Sequence, residues 1–216
     1  MTSDPSRDET SDQTESEFKL RAYDRVETAS VDASLRALGA PSTERASRGH
    51  VDTYLDDELG TLARRGVGLR LRETDEQRLL TCKLRGSVGD GLHVRREVEA
   101  RWRRATPPRR TGELPAEFSA RLRPELPDCE LRPWLRLTVA REVRVLTVDG
   151  ADICEVAVDS VTAAARGRRA TFQEIELEVL HDLAAVRRIA AALQARLPVE
   201  LVTDDKPTYA AAALGL

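Results

Sequence analysis

The chain has 216 residues, 41% of them hydrophobic and 33% charged, so it can bury a core while carrying more charge than the roughly 25% of an average soluble domain. Its 34 basic and 37 acidic residues give a formal net charge of −3, which argues against binding to nucleic acid or to an anionic membrane. No stretch approaches the ~18 consecutive apolar residues of a membrane span, and the polar N-terminus lacks a leader core, so we expect a cytoplasmic protein.

The composition predicts one domain with a short tail. Residues 1–13 are polar and acidic and are expected to form a disordered tail, which leaves residues 14–216 as a single domain. Cys82, Cys129 and Cys154 are odd in number and far apart, which fits neither a disulfide framework nor a metal-ligand motif. We expect them to be small buried or half-buried residues.

The hydrophobic periodicity predicts few helices and many strands. Helical spacing indicates helices at residues 31–38, at 116–122, and from Asp182 to the stop at Pro198. Alternation predicts eight strands, at residues 16–22, 50–56, 67–73, 79–85, 94–102, 135–148, 153–159 and 171–179. Because the connections are too short for a helix between most strands, we expect an antiparallel sheet or barrel in an α+β fold.

Charged residues occupy one face of several predicted strands. Residues two apart share a face, so Glu15, Glu17 and Lys19 lie opposite Phe18 and Leu20. The same alternation places together Arg70 with Arg72, Lys83 with Arg85, Arg95 with Glu97, Glu99 and Arg101, and Glu174 with Glu176 and Glu178. A solvated sheet face is one explanation. A closed barrel with a charged interior is the other, and the near absence of Ser, Thr and Gln from these faces favours it.

A tunnel lined by both signs of charge needs ligands of both signs. A barrel of about eight strands can hold one small ligand. Clustered carboxylates suit Mg²⁺ or Mn²⁺, and several basic residues suit a chain of phosphates. The chain has only three lysines, Lys19, Lys83 and Lys206, and a compact ammonium contacts phosphate as a point charge.

The motif residues resemble a known family. The run Glu15-Ser16-Glu17-Phe18-Lys19 is similar to the E-x-E-x-K signature of the CYTH superfamily, the triphosphate tunnel metalloenzymes. The resemblance continues in order through residues 52–56, 68–72, 81–83 and 95–99, Arg141, residues 155–159 and 174–178, and Lys206. It implies an eight-stranded antiparallel closed β-barrel with a few flanking helices, closest to the inorganic triphosphatase branch.

The resemblance also assigns roles to individual residues. It implies that phosphate is bound by Lys19, Arg70, Arg72, Lys83, Arg95, Arg141 and Lys206. It implies that Mg²⁺ or Mn²⁺ is bound by Glu15, Glu17, Glu97, Glu99, Asp159, Glu174 and Glu176, with Glu155 and Glu178 as further candidates on the same faces. Lys19, Glu17 and Glu176 are the expected catalytic residues. Strand parity favours Arg95 over Arg96.

Two positions depart from the family pattern. The sixth strand has Val139 where a second basic residue is common, while Arg136 and Arg144 lie on the opposite face, so one phosphate contact is expected to be missing. The tyrosine motif ends in Asp56-Asp57 rather than Asp-Thr, and the role of that loop stays open.

The expected activity is hydrolysis of inorganic triphosphate to pyrophosphate and phosphate by in-line attack of a metal-positioned water. The long segment 102–133, the C-terminal order of motifs and the aromatic content of only 4% favour this substrate, with Trp102, Trp134 and Tyr54 as the main stacking candidates for an organic group. Alternatives are thiamine triphosphatase, RNA triphosphatase, an adenylate cyclase of the same fold, or a non-enzymatic polyphosphate-binding barrel. The partner is then a small-molecule triphosphate, and the oligomeric state is open, a homodimer included.

The three histidines, His50, His93 and His181, match no motif of the family. We expect them to be surface or structural residues rather than catalytic ones.

Overall fold

The computed structural model describes residues 10–40, 42–148 and 150–216, with side chains outside residues 42–45. Its strands are β1 (Thr10–Ala22), β2 (Ser42–Asp56), β3 (Val67–Glu73), β4 (Arg78–Leu84), β5 (Ser87–Gly89), β6 (Leu92–Arg101), β7 (Arg132–Val148), β8 (Ala151–Ala165), β9 (Arg168–Val179) and β10 (Val199–Leu201). Its helices are α1 (Thr28–Ala37), α2 (Thr61–Arg64), α3 (Ala116–Arg121), α4 (Leu183–Arg196) and α5 (Lys206–Leu214). In these ranges no helix is long and apolar enough to cross a membrane.

Eight of the strands close into an antiparallel barrel. The order is β1-β9-β8-β7-β2-β3-β4-β6, and β6 pairs back onto β1, which completes the ring. The short strands β5 and β10 pair beside β6 and β1. The predicted eight-stranded closed barrel is therefore confirmed, and its register places Lys19 opposite Glu176 and Arg141 opposite Asp159.

The barrel begins earlier in the chain than expected. Thr10 to Gln13 pair with Ala100 to Glu97 of β6, so assigning these four residues to a disordered tail is wrong. They have little hydrophobicity of their own and gain order from the ladder hydrogen bonds to β6, which composition cannot reveal. Residues 1–9 of the expected tail lie outside the described residues. The helices α2 and α5 and the strands β5 and β10 are additions to the predicted elements.

The apolar faces of the strands point outward and are covered by helices. Phe18 and Ile175 pack with Val31 of α1 and Leu193 of α4. On another side of the barrel, the outer faces of β3, β4 and β6 pack against Trp102, Phe118 and Leu122 in the long segment before β7, and Cys82 is buried there. Because apolar residues take the outer faces, the charged residues of alternating parity point into the barrel.

One end of the barrel interior is apolar. We call this region the apolar plug, and it consists of Tyr54, Leu135, Leu137, Val139, Val161, Ala163 and Phe172 with Ala210 and Leu214 of α5. The strand residues of the plug share their parity with Arg141, Asp159 and Glu174, so the plug and the charged residues divide one interior. Val139 therefore lies in the plug, where a basic residue would have an apolar environment.

Candidate active site

The charged part of the interior surrounds a cavity of about 640 Å³. All seven predicted phosphate-binding residues line it, namely Lys19, Arg70, Arg72, Lys83, Arg95, Arg141 and Lys206. The predicted metal ligands divide into two sets, because Glu15, Glu97, Glu99 and Glu176 line the cavity whereas Glu17, Asp159 and Glu174 lie behind its wall. Of the further candidates, Glu178 lines the cavity.

Lys19 lies between the two expected catalytic carboxylates. Its Nζ is 3.0 Å from Oε1 of Glu17 and 3.0 Å from Oε1 of Glu176. Burial disfavours the ammonium form, but these two carboxylates raise the pKa of Lys19 above its ordinary value. The pairing of β1 with β9 thus brings Lys19 together with Glu176, which is far away in the sequence, and the two form a buried ion pair.

A second cation group surrounds Glu176. Lys206, the first residue of α5, lies 2.5 Å from Glu176 and 2.7 Å from Asp159, and Arg141 donates to both carboxylates at 2.5 and 2.6 Å. Asp205 accepts from the backbone of Thr208 and so fixes the start of α5. Although burial opposes ionisation, Lys19, Lys206 and Arg141 hold the pKa of Glu176 well below its usual range.

Glu174 is part of the barrel wall and not of the cavity surface. Its side chain is fully buried and lies 2.5 Å from Nη2 of Arg21 and 3.3 Å from Lys206. Arg21 also pairs with Asp204 at 3.0 Å and lies over the ring of Tyr209 at 3.8 Å. These contacts indicate that Glu174 positions Arg21 and Lys206.

Glu15 and Glu97 hold the cations on the opposite wall. Lys83 Nζ is 2.6 Å from Glu15 and 2.9 Å from Glu97, and Arg95 contacts Glu15 at 3.3 Å and Glu17 at 2.6 Å. Glu17 therefore links this group to Lys19 through a continuous chain of ion pairs. Each cation of this wall is therefore held by at least two carboxylates.

Parity also separates Arg95 from its neighbour. Arg96 lies outside the barrel, where its guanidinium pairs with Asp12 at 2.8 Å and donates to the backbone oxygen of Arg121. The preference for Arg95 as the cavity residue is thus in accord with the structure, in which Arg95 lines the cavity.

Asp52 organises two arginines of the cavity. Its carboxylate accepts from Arg72 Nε and Nη2 at 2.8 and 2.9 Å and from Arg70 Nη1 at 3.1 Å. Burial raises the pKa of Asp52, but Arg70 and Arg72 outweigh it and hold that pKa well below the ordinary value. Sequence reasoning did not give Asp52 a role, although its shared parity with Tyr54 in β2 was a usable signal.

Two histidines also line the cavity. His93 is buried and its Nε2 lies 2.9 Å from the backbone oxygen of Val202, in keeping with the expected structural role. His50 faces the same interior beside Asp52, with 3.6 Å between Nε2 and Oδ2. Whether His50 is structural or takes part in the function of the cavity stays open at this point.

Glu178 and Glu155 form a region of unbalanced negative charge. In the described part of the chain neither carboxylate has an ion-pair partner among the salt bridges of the barrel. Burial raises the pKa of Glu178 to about 7, and the charges of Glu15, Glu155 and Glu17 act in the same direction. Such a carboxylate group favours an additional cation.

The predicted metal ligands are not preassembled. Among the described residues, no three or more carboxylate, histidine or cysteine side chains are arranged to hold a metal ion. The basic groups contact most of these carboxylates, and Glu99 accepts a hydrogen bond from Thr81 at 2.8 Å. The chemistry of the donors still fits a hard divalent cation at Glu155 and Glu178, which show no ion-pair partner among the described residues, and at the neighbouring Glu15 and Glu17, whose oxygens it would share with Lys19, Lys83 and Arg95.

The departures from the family pattern have local explanations. Arg136 is exposed, and Arg144 is buried against Asp32 of α1, so neither enters the cavity. Asp56 accepts from the backbone N–H groups of Asp57, Leu62 and Ala63 at 2.8 to 3.0 Å. Asp56 and Asp57 at the end of β2 thus accept hydrogen bonds from the backbone N–H groups in the first turn of α2, which have no partner within the helix.

Two of the three aromatic candidates reach the cavity. Tyr54 and Trp134 both line it, with ring centroids 6.2 Å apart. Trp102 is buried outside the barrel with Phe118 and is excluded as a stacking surface for a ligand.

The comparisons with known proteins agree with this geometry. The CYTH domain profile matches residues 13–206. The structure of HpAC1 from Hippeastrum, an adenylyl cyclase candidate with a dominant triphosphatase activity, has a TM-score of 0.65 at 20% identity over 92% of this chain and 95% of that chain. An adenylate cyclase candidate from Bacillus halodurans has a TM-score of 0.58 at 16% identity over 91% and 97%. One from Vibrio parahaemolyticus has a TM-score of 0.50 at 14% identity over 93% and 99%. No curated protein sequence matches.

Proposed function

The chain belongs to the CYTH domain family and has its triphosphate tunnel fold, and we propose from this premise that it is a divalent-metal-dependent triphosphatase acting on inorganic triphosphate. The observation that carries the proposal is the convergence of all seven expected phosphate-binding cations on one cavity. The products would be pyrophosphate and phosphate.

The cavity residues suit a chain of phosphates because they supply charge from opposite walls. Arg70 and Arg72 come from β3, Lys83 and Arg95 from β4 and β6, and Arg141 from β7. Guanidinium groups bind phosphate oxygens in a planar fork, whereas an ammonium binds as a point charge. A triphosphate in this cavity would replace carboxylate oxygens as the partners of these cations.

Mg²⁺ or Mn²⁺ would be held by Glu15, Glu17, Glu155 and Glu178, where burial and the neighbouring carboxylates together raise the pKa of Glu178. When bound, the ion would neutralise phosphate charge and lower the pKa of a water molecule. We infer that Asp159 and Glu174 instead position Lys206 and Arg141.

The residues of the chain would act mainly by electrostatic preorganisation. Lys19, Lys206 and Arg141 are held by buried carboxylates, so their charges need little reorganisation when negative charge develops on the transferring phosphoryl group. Glu176 stays ionised at neutral pH because these cations depress its pKa, and it can orient a hydrogen-bond donor near them.

A second candidate is hydrolysis of an organic triphosphate such as ATP or thiamine triphosphate. The cavity volume of about 640 Å³ and the aromatic surface of Tyr54 and Trp134 leave room for a group beyond the phosphates. The dominant triphosphatase activity of HpAC1, a protein of the same fold, supports hydrolysis over cyclisation.

Phosphate-release assays with inorganic triphosphate, ATP and thiamine triphosphate, with and without Mg²⁺ or Mn²⁺, test the proposal, and a cyclic AMP measurement tests cyclisation. Arg141→Ala should lower kcat/KM about 100-fold, whereas Arg136→Ala, on the outer face of the same strand, should leave it unchanged. Higher kcat/KM for cyclic AMP formation than for phosphate release would contradict the substrate assignment. Binding without turnover on any of the three would favour the non-enzymatic barrel.

A further inference from the structure

His50 is buried beside the charged cavity, which is an unusual place for a histidine. Its side chain is 7% exposed and lines the charged cavity from the middle of β2. Its closest described polar contact is Asp52, and the 3.6 Å between the atoms is longer than a hydrogen bond. Asp52 already accepts from Arg72 and Arg70, so it has little capacity left for the imidazole.

Every strand packed beside His50 presents charge to it. Asp52 lies on the same strand, Arg72 and Arg70 project from β3, and Arg141 projects from β7. Arg48 shares the parity of His50 on β2 but is exposed. Burial lowers the pKa of His50 below 6.5, and Arg72 and Arg141 lower it further against the opposing effect of Asp52. The lowered pKa favours the neutral form of the imidazole at pH 7.

We propose that His50 is a further phosphate-contacting residue, which takes up a proton from solvent when a triphosphate enters the tunnel and then donates an N–H to a phosphate oxygen. The inference rests on the proposed function, because it assumes that the cavity binds a polyphosphate anion.

His50 is expected to take up a proton because a bound triphosphate would change the electrostatic potential at the imidazole from positive to negative. Burial, together with the charges of Arg72 and Arg141, disfavours a proton on His50 and outweighs the opposing effect of Asp52. A phosphate chain bound by those two arginines adds negative charge at the same place and favours the imidazolium. Because Nδ1 of the ring shows no partner among the described residues, it can form this hydrogen bond without breaking another one.

The consequence is a pH-dependent affinity. Between the pKa of His50 in the free protein and its higher pKa in the complex, binding takes up about one proton, so the association constant falls by up to tenfold per pH unit as pH rises. At lower pH the histidine is already charged in the free protein, and this contribution to the slope disappears.

The test is isothermal titration of the full chain with diimidotriphosphate, whose nitrogen bridges resist hydrolysis, in buffers of different ionisation enthalpy at pH 7. The wild type should take up nearly one proton more than His50→Gln, while His181→Gln, which removes an exposed histidine, should match the wild type. The difference between variants cancels protons taken up by the anion itself. Equal uptake by the wild type and His50→Gln would overturn the inference.

Imidazole carbon–proton NMR spectra of the wild-type chain provide a readout that does not depend on folding of His50→Gln. The signal of His50 can be assigned by elimination with His93→Gln and His181→Gln. Addition of diimidotriphosphate at pH 7 should move it to the imidazolium position. Saturation binding without this shift would overturn the inference alone, whereas absence of any binding would overturn the proposed function as well.

Discussion

Glu174 and Glu178 lie on the same face of β9, but the barrel gives them opposite environments. Glu174 is fully buried against Arg21 and Lys206. Glu178 has carboxylates around it, and burial together with Glu15 and Glu155 raises its pKa to about 7. We call the wall around Glu174 and Glu176 the paired region, because basic groups neutralise its carboxylates. We call the wall around Glu155 and Glu178 the unpaired region, because negative charge is in excess there.

The contrast shows that a shared strand face does not imply a shared role. Three cations of the barrel, Lys19, Lys206 and Arg141, meet beside Glu174 and Glu176. In the paired region a carboxylate positions basic groups for an anion. In the unpaired region a carboxylate shows no basic partner among the described residues, which leaves its charge available to a cation.

The largest expected effect comes from Glu176, which is shared by three cations. Glu176→Gln should lower kcat by about 100-fold or more, because Lys19, Lys206 and Arg141 lose the group that orients them. Steady-state kinetics on inorganic triphosphate measures this, with exposed Glu200→Gln as the control expected to retain activity. Wild-type kcat in Glu176→Gln would show that the paired region plays no part in turnover.

The next largest expected effect is a loss of folding stability when Glu174 is replaced. Glu174→Gln takes the fully buried carboxylate away from Arg21 and leaves it with the partly exposed Asp204, so it should lower the free energy of unfolding by about 3 kcal/mol. Urea unfolding of the metal-free protein measures the loss. If Glu174→Gln and Glu178→Gln changed stability equally, the distinction between paired and unpaired regions would be lost.

Glu178 should show the opposite sign and a pH dependence. Its folded pKa of about 7 exceeds the ordinary 4.5, so the native protein holds more protons than the unfolded chain between these values and loses stability as pH rises through them. Glu178→Gln removes this loss and should gain on the order of 2 kcal/mol over the wild type by about pH 8. Urea unfolding with chelator at about pH 5 and about pH 8 measures it, and a pH-independent difference would contradict the raised pKa.

Lys83 gives the smallest effect and sharpens the boundary between the two regions. It contacts Glu15 and Glu97 and is the cation that opposes the raised pKa of Glu178. Lys83→Arg keeps the charge but adds bulk and a planar fork, and should lower kcat/KM about tenfold, or ~1.4 kcal/mol. Kinetics beside Lys83→Ala measures this, since the alanine variant should lose more. Wild-type kcat/KM in Lys83→Arg would place Lys83 outside the site.

Much of the site could be predicted from strand parity. The alternation at residues 15–19 and on later strands is consistent with the position of six cations at one cavity, while Lys206, at the start of α5, was assigned from the family resemblance alone. The same reasoning preferred Arg95 to Arg96, which lies outside with Asp12. It succeeded because the side-chain period of a strand is a local property that the sequence states directly.

Other features needed contacts between distant strands. The apolar plug and the role of Val139 depend on how α5 meets β7 and β8, and the order of residues 10–13 depends on pairing with β6. The role of Asp52 depends on side chains from β3. None of these contacts follows from the local pattern of either partner.

The sequence by itself determined which side chains face the interior and that both signs of charge meet there. Only the tertiary structure decided which carboxylates are neutralised by basic groups and which cations act on His50. It also decided that Glu174 is paired with Arg21, whereas Glu178 is surrounded by other carboxylates. The physical reason is that electrostatic environment falls off over a few ångströms in space, whereas the stagger of strands around a closed barrel brings together groups as remote in the chain as Lys19 and Glu176.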